Sequence, residues 1–131
     1  MKNIFIVVLL LFGMYTNVHS QTNLTTAVDF TEVSLDGDTI NLFSILNGGQ
    51  WALINFGAYW CGPCKTLAAD FGQLYEDFGC NTGDVFLIEM EYEGTIGDCQ
   101  DFINQYGGGH DVPYICGATT TTVAYGAAGL R

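Results

Sequence analysis

The sequence predicts an α/β domain in which strands and helices alternate. Two observations carry this. Apolar runs short enough to be strands (Trp51 to Phe56, Val85 to Met90 and Val112 to Cys116) are separated by stretches whose apolar residues recur every three or four positions. The order along the chain is strand, helix, strand, helix, short strand, helix, which implies a sheet built on parallel crossovers. A length of 131 residues allows one domain.

The first twenty residues read as a secretory signal peptide rather than part of that domain. Lys2 supplies a positive start, Ile4 to Met14 is apolar except for Gly13, and Val18-His19-Ser20 suits a cleavage site before Gln21. The run is short for a transmembrane helix. No cysteine lies near the cut, so a lipid anchor is not expected. The domain is then 21–131, with Lys65 and Arg131 against fourteen carboxylates. Such a surface argues against nucleic acid and anionic membranes, which call for basic patches.

Within the domain, Phe30, Val33 and Leu35 lead to the turn signal Asp36-Gly37-Asp38 and to Thr39-Ile40-Asn41-Leu42, a short hairpin. Leu42 to Leu46 suggests one helical turn, ended by Asn47-Gly48-Gly49. The strand Trp51 to Phe56 follows. After the break Gly57-Ala58, Leu67, Ala68, Phe71, Leu74, Tyr75 and Phe78 mark a helix. Gly79 to Asp84 is a stop and a turn. Val85 to Met90 is the second strand, and Glu89, Glu91 and Glu93 read as a solvated edge rather than a calcium site, since no Asp-rich loop frames them. Thr95 or Asp98 caps a helix to Tyr106, with Phe102 and Tyr106 on one face. Val112 to Cys116 is a short strand with Pro113 at its start, where it removes no ladder bond. Thr119 to Ala128 is read as helix on the spacing of Val123 and Ala127, against four β-branched threonines. Trp51, Phe56, Phe71 and Phe78 are assigned to the core.

Chemistry concentrates at Cys61-Gly62-Pro63-Cys64, at the junction of strand and helix. The partial positive charge of a helix N-terminus stabilises a thiolate, the reactive form. Pro63 sits in the first turn, where a missing N–H costs little. Cys61 is the candidate nucleophile, and Cys64, one turn inward, the candidate resolving thiol. Lys65 either favours the Cys61 thiolate by its charge or is simply solvated. A structural zinc needs four ligands, and Cys80, Cys99 and Cys116 form no second Cys-x-x-Cys. Exported proteins keep disulfides, which makes Cys80–Cys99 a candidate bridge, although connectivity is not readable from sequence. Cys116, in an apolar strand, is read as a buried, inert core residue.

Trp60-Cys61-Gly62-Pro63-Cys64-Lys65 after an apolar strand resembles the active site of the thioredoxin-like superfamily. The segment between the second strand and Val112-Pro113-Tyr114 resembles the inserted helix and strand of bacterial cell-envelope redoxins, the TlpA-type and thiol-specific-antioxidant-like branch. The likeness runs from about Ala27 to Arg131. It implies a thioredoxin-like fold, a central mixed sheet flanked by helices, with Trp60, Gly62 and Pro63 meeting substrate. It also implies a cis-proline strand facing the cysteines. Val112-Pro113 is rejected for that role, because the branch places its cis-proline after a helix ending in a Tyr-Gly-like motif. Tyr125-Gly126 is similar to that motif, and the sequence stops soon after. On this resemblance the cis-proline strand, the last strand and the last helix are missing, and the domain is C-terminally truncated. Thioredoxin places a buried aspartate six residues before its first cysteine. Here that residue is Asn55, which cannot accept a proton, so no acid/base residue is assigned.

The function implied is a thiol–disulfide oxidoreductase, periplasmic or secreted, acting as a monomer on disulfide-bearing protein substrates. Gly-Pro between the cysteines is similar to reducing thioredoxins, which implies a reductase fed by a membrane electron donor. No cofactor and no metal are implied. Two alternatives stay open. One is a peroxidase of the related antioxidant family, against which Ala58 stands where a Thr-x-x-Cys pattern places threonine. The other is a non-catalytic domain of a larger secreted protein.

Overall fold

The computed structural model describes residues 24–127. The expected signal peptide lies outside the described residues, as does the end of the chain. Strands β1 (Thr31–Val33) and β2 (Thr39–Asn41) pair antiparallel as the predicted hairpin. Helix α1 (Leu42–Asn47) follows directly, capped by Asn41, whose Oδ1 accepts the Ser44 N–H at 2.7 Å. Asn41 Nδ2 also donates to the Phe30 carbonyl and the Asp29 carboxylate, so one side chain fixes both the hairpin and the helix start.

The main sheet comprises β3 (Trp51–Gly57), β4 (Val85–Glu91) and β5 (Tyr114–Ile115), in the order β3-β4-β5 and parallel throughout. The fold is thioredoxin-like. The antiparallel pairing expected of a mixed sheet is confined, among the described residues, to the separate β1–β2 hairpin. Helices α2 (Gly62–Asp77) and α3 (Ile96–Tyr106) make the crossovers, and α4 (Thr119–Ala124) follows β5. Thr95 and Asp98 cap α3 together: Thr95 Oγ1 accepts the Asp98 N–H, and Asp98 Oδ2 accepts the Thr95 N–H. The fifth strand is shorter than Val112 to Cys116, and α4 stops at Ala124, short of Ala128.

Register divides the buried residues into two layers, because side chains alternate faces along each strand. On one face Ile88, Met90 and Ile115 pack with Phe30, Ile40, Leu42 and Tyr125, beside Ala52, Ile54 and Phe56. The Tyr125 hydroxyl donates to the Val28 carbonyl at 2.7 Å, which ties the end of α4 to the segment before β1. On the other face, beneath α2 and α3, lie Ala68, Cys99, Phe102 and Tyr114, with Cys64, Tyr106 and Cys116 against them. Helix α2 passes so close to His110 that a Cβ at Gly72 would run into the imidazole. His110 Nδ1 in turn lies 2.7 Å from Glu76 Oε1 on that helix.

Two core assignments need correction. Phe71 is buried and Phe56 half-buried, but Trp51 is 76% exposed and Phe78 44%. Trp51 sits at the first residue of β3, and among the described residues β3 pairs only with β4, so its other edge is open. Phe78 caps α2 at its C-terminal end, beyond the part that meets the sheet. Leu67 and Leu74 are likewise exposed on α2. Glu89 and Glu91, expected on a solvated edge, are buried, because β4 is the middle strand of the three.

Candidate active site

The site is built where β3 hands over to α2. Gly57 and Ala58 are buried, and Tyr59 and Trp60 cross the top of the sheet in the open. Backbone and side chain pin this crossing. The Cys61 N–H donates to the Ala58 carbonyl at 2.8 Å, and the Tyr59 N–H donates to Glu91 Oε1 at 2.7 Å. Trp60 Nε1 donates to Glu93 Oε1 at 3.1 Å. Two of the three glutamates at the end of β4 therefore hold the segment that delivers Cys61.

Cys61 is the N-cap of α2. Its Sγ accepts the Cys64 N–H at 3.2 Å, the role a serine or aspartate oxygen fills at other helix starts. Cys61 and Cys64 are joined by a disulfide, with Cα atoms 5.2 Å apart. Gly62 and Pro63 occupy the first turn and are exposed, as is half of Trp60. Thus, of the five residues singled out from sequence, Trp60, Gly62 and Pro63 are exposed at the helix end around the half-buried Cys61, and Cys64 is half-buried behind it. Cys64 lies over Gly57: a Cβ there would meet Cys64 Sγ at 3.8 Å, an ordinary contact, so the sulfur packs directly above this strand residue. Lys65 sits over the Tyr106 ring, 5.2 Å from its centroid, which gives its charge a cation–π partner on α3. An open cleft of about 190 Å³ beside it is lined by Tyr59, Lys65, Asp98, Phe102 and Tyr106.

Below the cysteines the sheet carries polar groups that sequence reasoning missed. In register, Asn55 faces Glu89, Gly57 faces Glu91, and Glu89 faces Tyr114 on β5. Asn55 Nδ2 donates to Glu89 Oε1 at 3.3 Å. The Tyr114 hydroxyl donates to Glu91 Oε2 at 2.9 Å. Burial pushes the Glu89 carboxyl up to about 7; the Asn55 hydrogen bond opposes this and the charge of Glu91 adds to it. Burial also pushes Glu91 up, against hydrogen bonds from Tyr59, Tyr114 and Glu93. Tyr114 is driven up as well, by burial first and then by Glu91. The available signal was Asn55 itself, a polar residue inside an apolar strand.

The second disulfide also differs from expectation. Cys99 bonds to Cys116, not to Cys80, which is free and exposed. Cys80 lies in the turn after α2 with φ +52°, whereas Cys99 on α3 and Cys116 after β5 meet in the layer beneath the helices. Cys116 is therefore a cystine rather than a lone core thiol.

Comparison with known proteins agrees with this architecture. Residues 24–129 match the AhpC/TSA family. Thioredoxin from Gallus gallus is 37% identical over 54 residues, which cover 41% of this chain and 44% of that protein. Thioredoxin from Homo sapiens is 31% identical over 58 residues, covering 44% and 48%. The chain thus spans about half the length of these curated relatives. Among solved structures, a thiol:disulfide interchange protein of the thioredoxin family from Chlorobium tepidum superposes with a TM-score of 0.63 at 19% identity, covering 82% of this chain and 68% of that one. A secreted disulfide oxidoreductase from Mycobacterium tuberculosis superposes with a TM-score of 0.58 at 21% identity, covering 73% and 66%.

Proposed function

The chain belongs to the AhpC/TSA family of the thioredoxin-like superfamily, and on that premise we propose that it is a thiol–disulfide oxidoreductase acting on protein substrates. The observation that carries this reading is the Cys61–Cys64 disulfide at the start of α2, with Cys61 Sγ already accepting a backbone N–H. In the reduced protein the same N–H and the helix end favour the Cys61 thiolate. Cys61 attacks a substrate disulfide and forms a mixed disulfide, and one substrate sulfur leaves as a thiolate. Cys64 then attacks Cys61 Sγ. The protein ends oxidised and the substrate ends as two thiols. Trp60, Gly62 and Pro63, exposed around Cys61, supply the contact surface for the substrate chain.

The working direction in this reading is reduction, as Gly-Pro between the cysteines suggests, with a membrane partner returning electrons and the protein acting as a monomer in the periplasm or outside the cell. The leader-like first twenty residues and the secreted neighbour support that location. The open edge of β3 supports a further strand pairing there to complete the sheet. Reduction of insulin by dithiothreitol tests the activity. The protein accelerates it, and Cys61→Ser abolishes the acceleration. Cys64→Ser accumulates a mixed disulfide at Cys61. Turnover of hydrogen peroxide without insulin reduction would instead favour the peroxidase alternative, and absence of both activities in the wild-type protein would leave a non-catalytic domain.

A further inference from the structure

The resolving step has a proton to dispose of. Cys64 attacks as a thiolate, but it is half-buried over Gly57, behind the exposed first turn. The strand position one row along on the same face is Asn55, which has no proton to exchange. Its register partner does. Glu89 reaches across from β4, is 7% exposed, and receives the Asn55 amide on Oε1. Residues two apart on one face lie about 7 Å from each other along a strand. Glu89, across on β4, stands diagonal to Gly57, about 8 Å away between Cα atoms, a gap that a glutamate side chain and one bridging water can span to the Cys64 sulfur.

We propose that Glu89, steered by Asn55 across the sheet beneath the start of α2, takes the proton of Cys64 when the pair closes and returns it when the pair opens. The proposal rests on the thiol–disulfide reading above. In the step, Cys64–SH passes its proton to the Glu89 carboxylate. The resulting thiolate attacks Cys61 Sγ, the Cys61–substrate S–S bond breaks, and the substrate sulfur departs with the electron pair. Glu89 then releases the proton to that sulfur or to solvent.

The surroundings assign the roles. Glu91, the neighbouring carboxyl on β4, has both oxygens engaged, one by the Tyr59 N–H and one by the Tyr114 hydroxyl. It is a positioning residue that holds the loop delivering Cys61. Glu89 accepts a single long hydrogen bond and keeps capacity to carry a proton. The titratable groups set against it are Glu91 on its own strand and Tyr114 on β5, to which the proposal adds Cys64 on α2 in the reduced protein. Helix α3 brings to this layer Cys99, locked in its cystine, the apolar Phe102 and Ile103, and the phenol of Tyr106, which stacks on Phe102 and lies under Lys65. The Glu89 carboxyl, at about 7, is poised to change charge near neutrality.

The test separates the two chemical steps. Full-length protein with the Cys61–Cys64 pair reduced and the Cys99–Cys116 cystine still closed, as verified by peptide mapping, is mixed with 5,5′-dithiobis(2-nitrobenzoate) between about pH 5.5 and 9. The first thionitrobenzoate released reports attack by Cys61, and the second reports attack by Cys64 on the mixed disulfide; Cys80→Ser removes the remaining exposed thiol from the signal. In Glu89→Gln the second release slows at least tenfold at pH 7, and its pH midpoint moves toward that of an ordinary thiol, while the first is unchanged. Glu89→Asp recovers part of the rate. A second release at the wild-type rate and pH profile overturns the proposal, as does equal slowing of both steps, which marks a structural defect. If the wild-type protein gives no second release at all, it is the oxidoreductase reading that fails.

Discussion

Replacing Glu89 by glutamine should change how stability depends on pH, and the structure sets the size of the change. The carboxyl ionises at about 7 in the folded protein and at 4.5 in an unfolded chain, chiefly because burial disfavours its charge. Below pH 4.5 it is protonated in both states. Between 4.5 and 7 the unfolded chain sheds the proton and the folded protein keeps it, so folding grows less favourable by about 1.4 kcal/mol per pH unit. Above 7 both states are ionised and the loss levels off at about 3 kcal/mol. The sign is that of a raised pKa: the contribution is full at low pH and lost as pH rises. Urea unfolding of the wild-type protein and Glu89→Gln at half-unit steps from pH 4 to 8.5 measures it. The wild-type stability, less that of the variant, should fall by about 3 kcal/mol across this range and then stay level. A difference that is flat, or that rises with pH, would refute the buried state of this carboxyl.

Other outcomes follow from the packing. Cys99→Ser with Cys116→Ser should cost about 3 kcal/mol in the oxidised protein, the scale for closing a loop of this length, whereas Cys80→Ser should stay within about 0.5 kcal/mol; thermal melts decide, and non-reducing peptide mapping should recover Cys99 joined to Cys116. Trp51→Lys, at an open edge, should alter stability by less than about 0.5 kcal/mol, while Phe71→Ala should cost about 3 kcal/mol or more. Thr95→Ala breaks one half of the α3 capping box and should cost about 1 kcal/mol, read from the urea midpoint at constant m.

Much of the fold was legible because local pattern and tertiary role coincide. The hairpin, the strand before Cys61 and the helix after it each carry their own signal: a turn dipeptide, an apolar run, a three-and-four spacing. The CxxC pair was legible for the same reason, since its chemistry depends on a helix end that sequence marks. What escaped depends on neighbours. Glu89-Met90-Glu91-Tyr92-Glu93 alternates like a half-solvated strand, yet β4 is flanked by β3 and β5 and covered on both faces, so its polar side turns to the layer under α2 and α3. Trp51 to Phe56 reads as a strand buried on both sides, but β3 ends the sheet as described and Trp51 stands out from it. The Cys99–Cys116 link joins a helix to the end of a strand and depends on how α3 lies across β5, which spacing does not encode.

The claim on which the chemistry stands is that the start of α2 makes Cys61 unlike an ordinary thiol, and the protein carries its own control. Cys80 is exposed and sits in a turn rather than at a helix start. Fully reduced protein treated with limiting iodoacetamide at pH 6.5 and mapped by mass spectrometry should show Cys61 alkylated at least tenfold faster than Cys80, with Cys64 slower than Cys61. Equal labelling of Cys61 and Cys80 would contradict it.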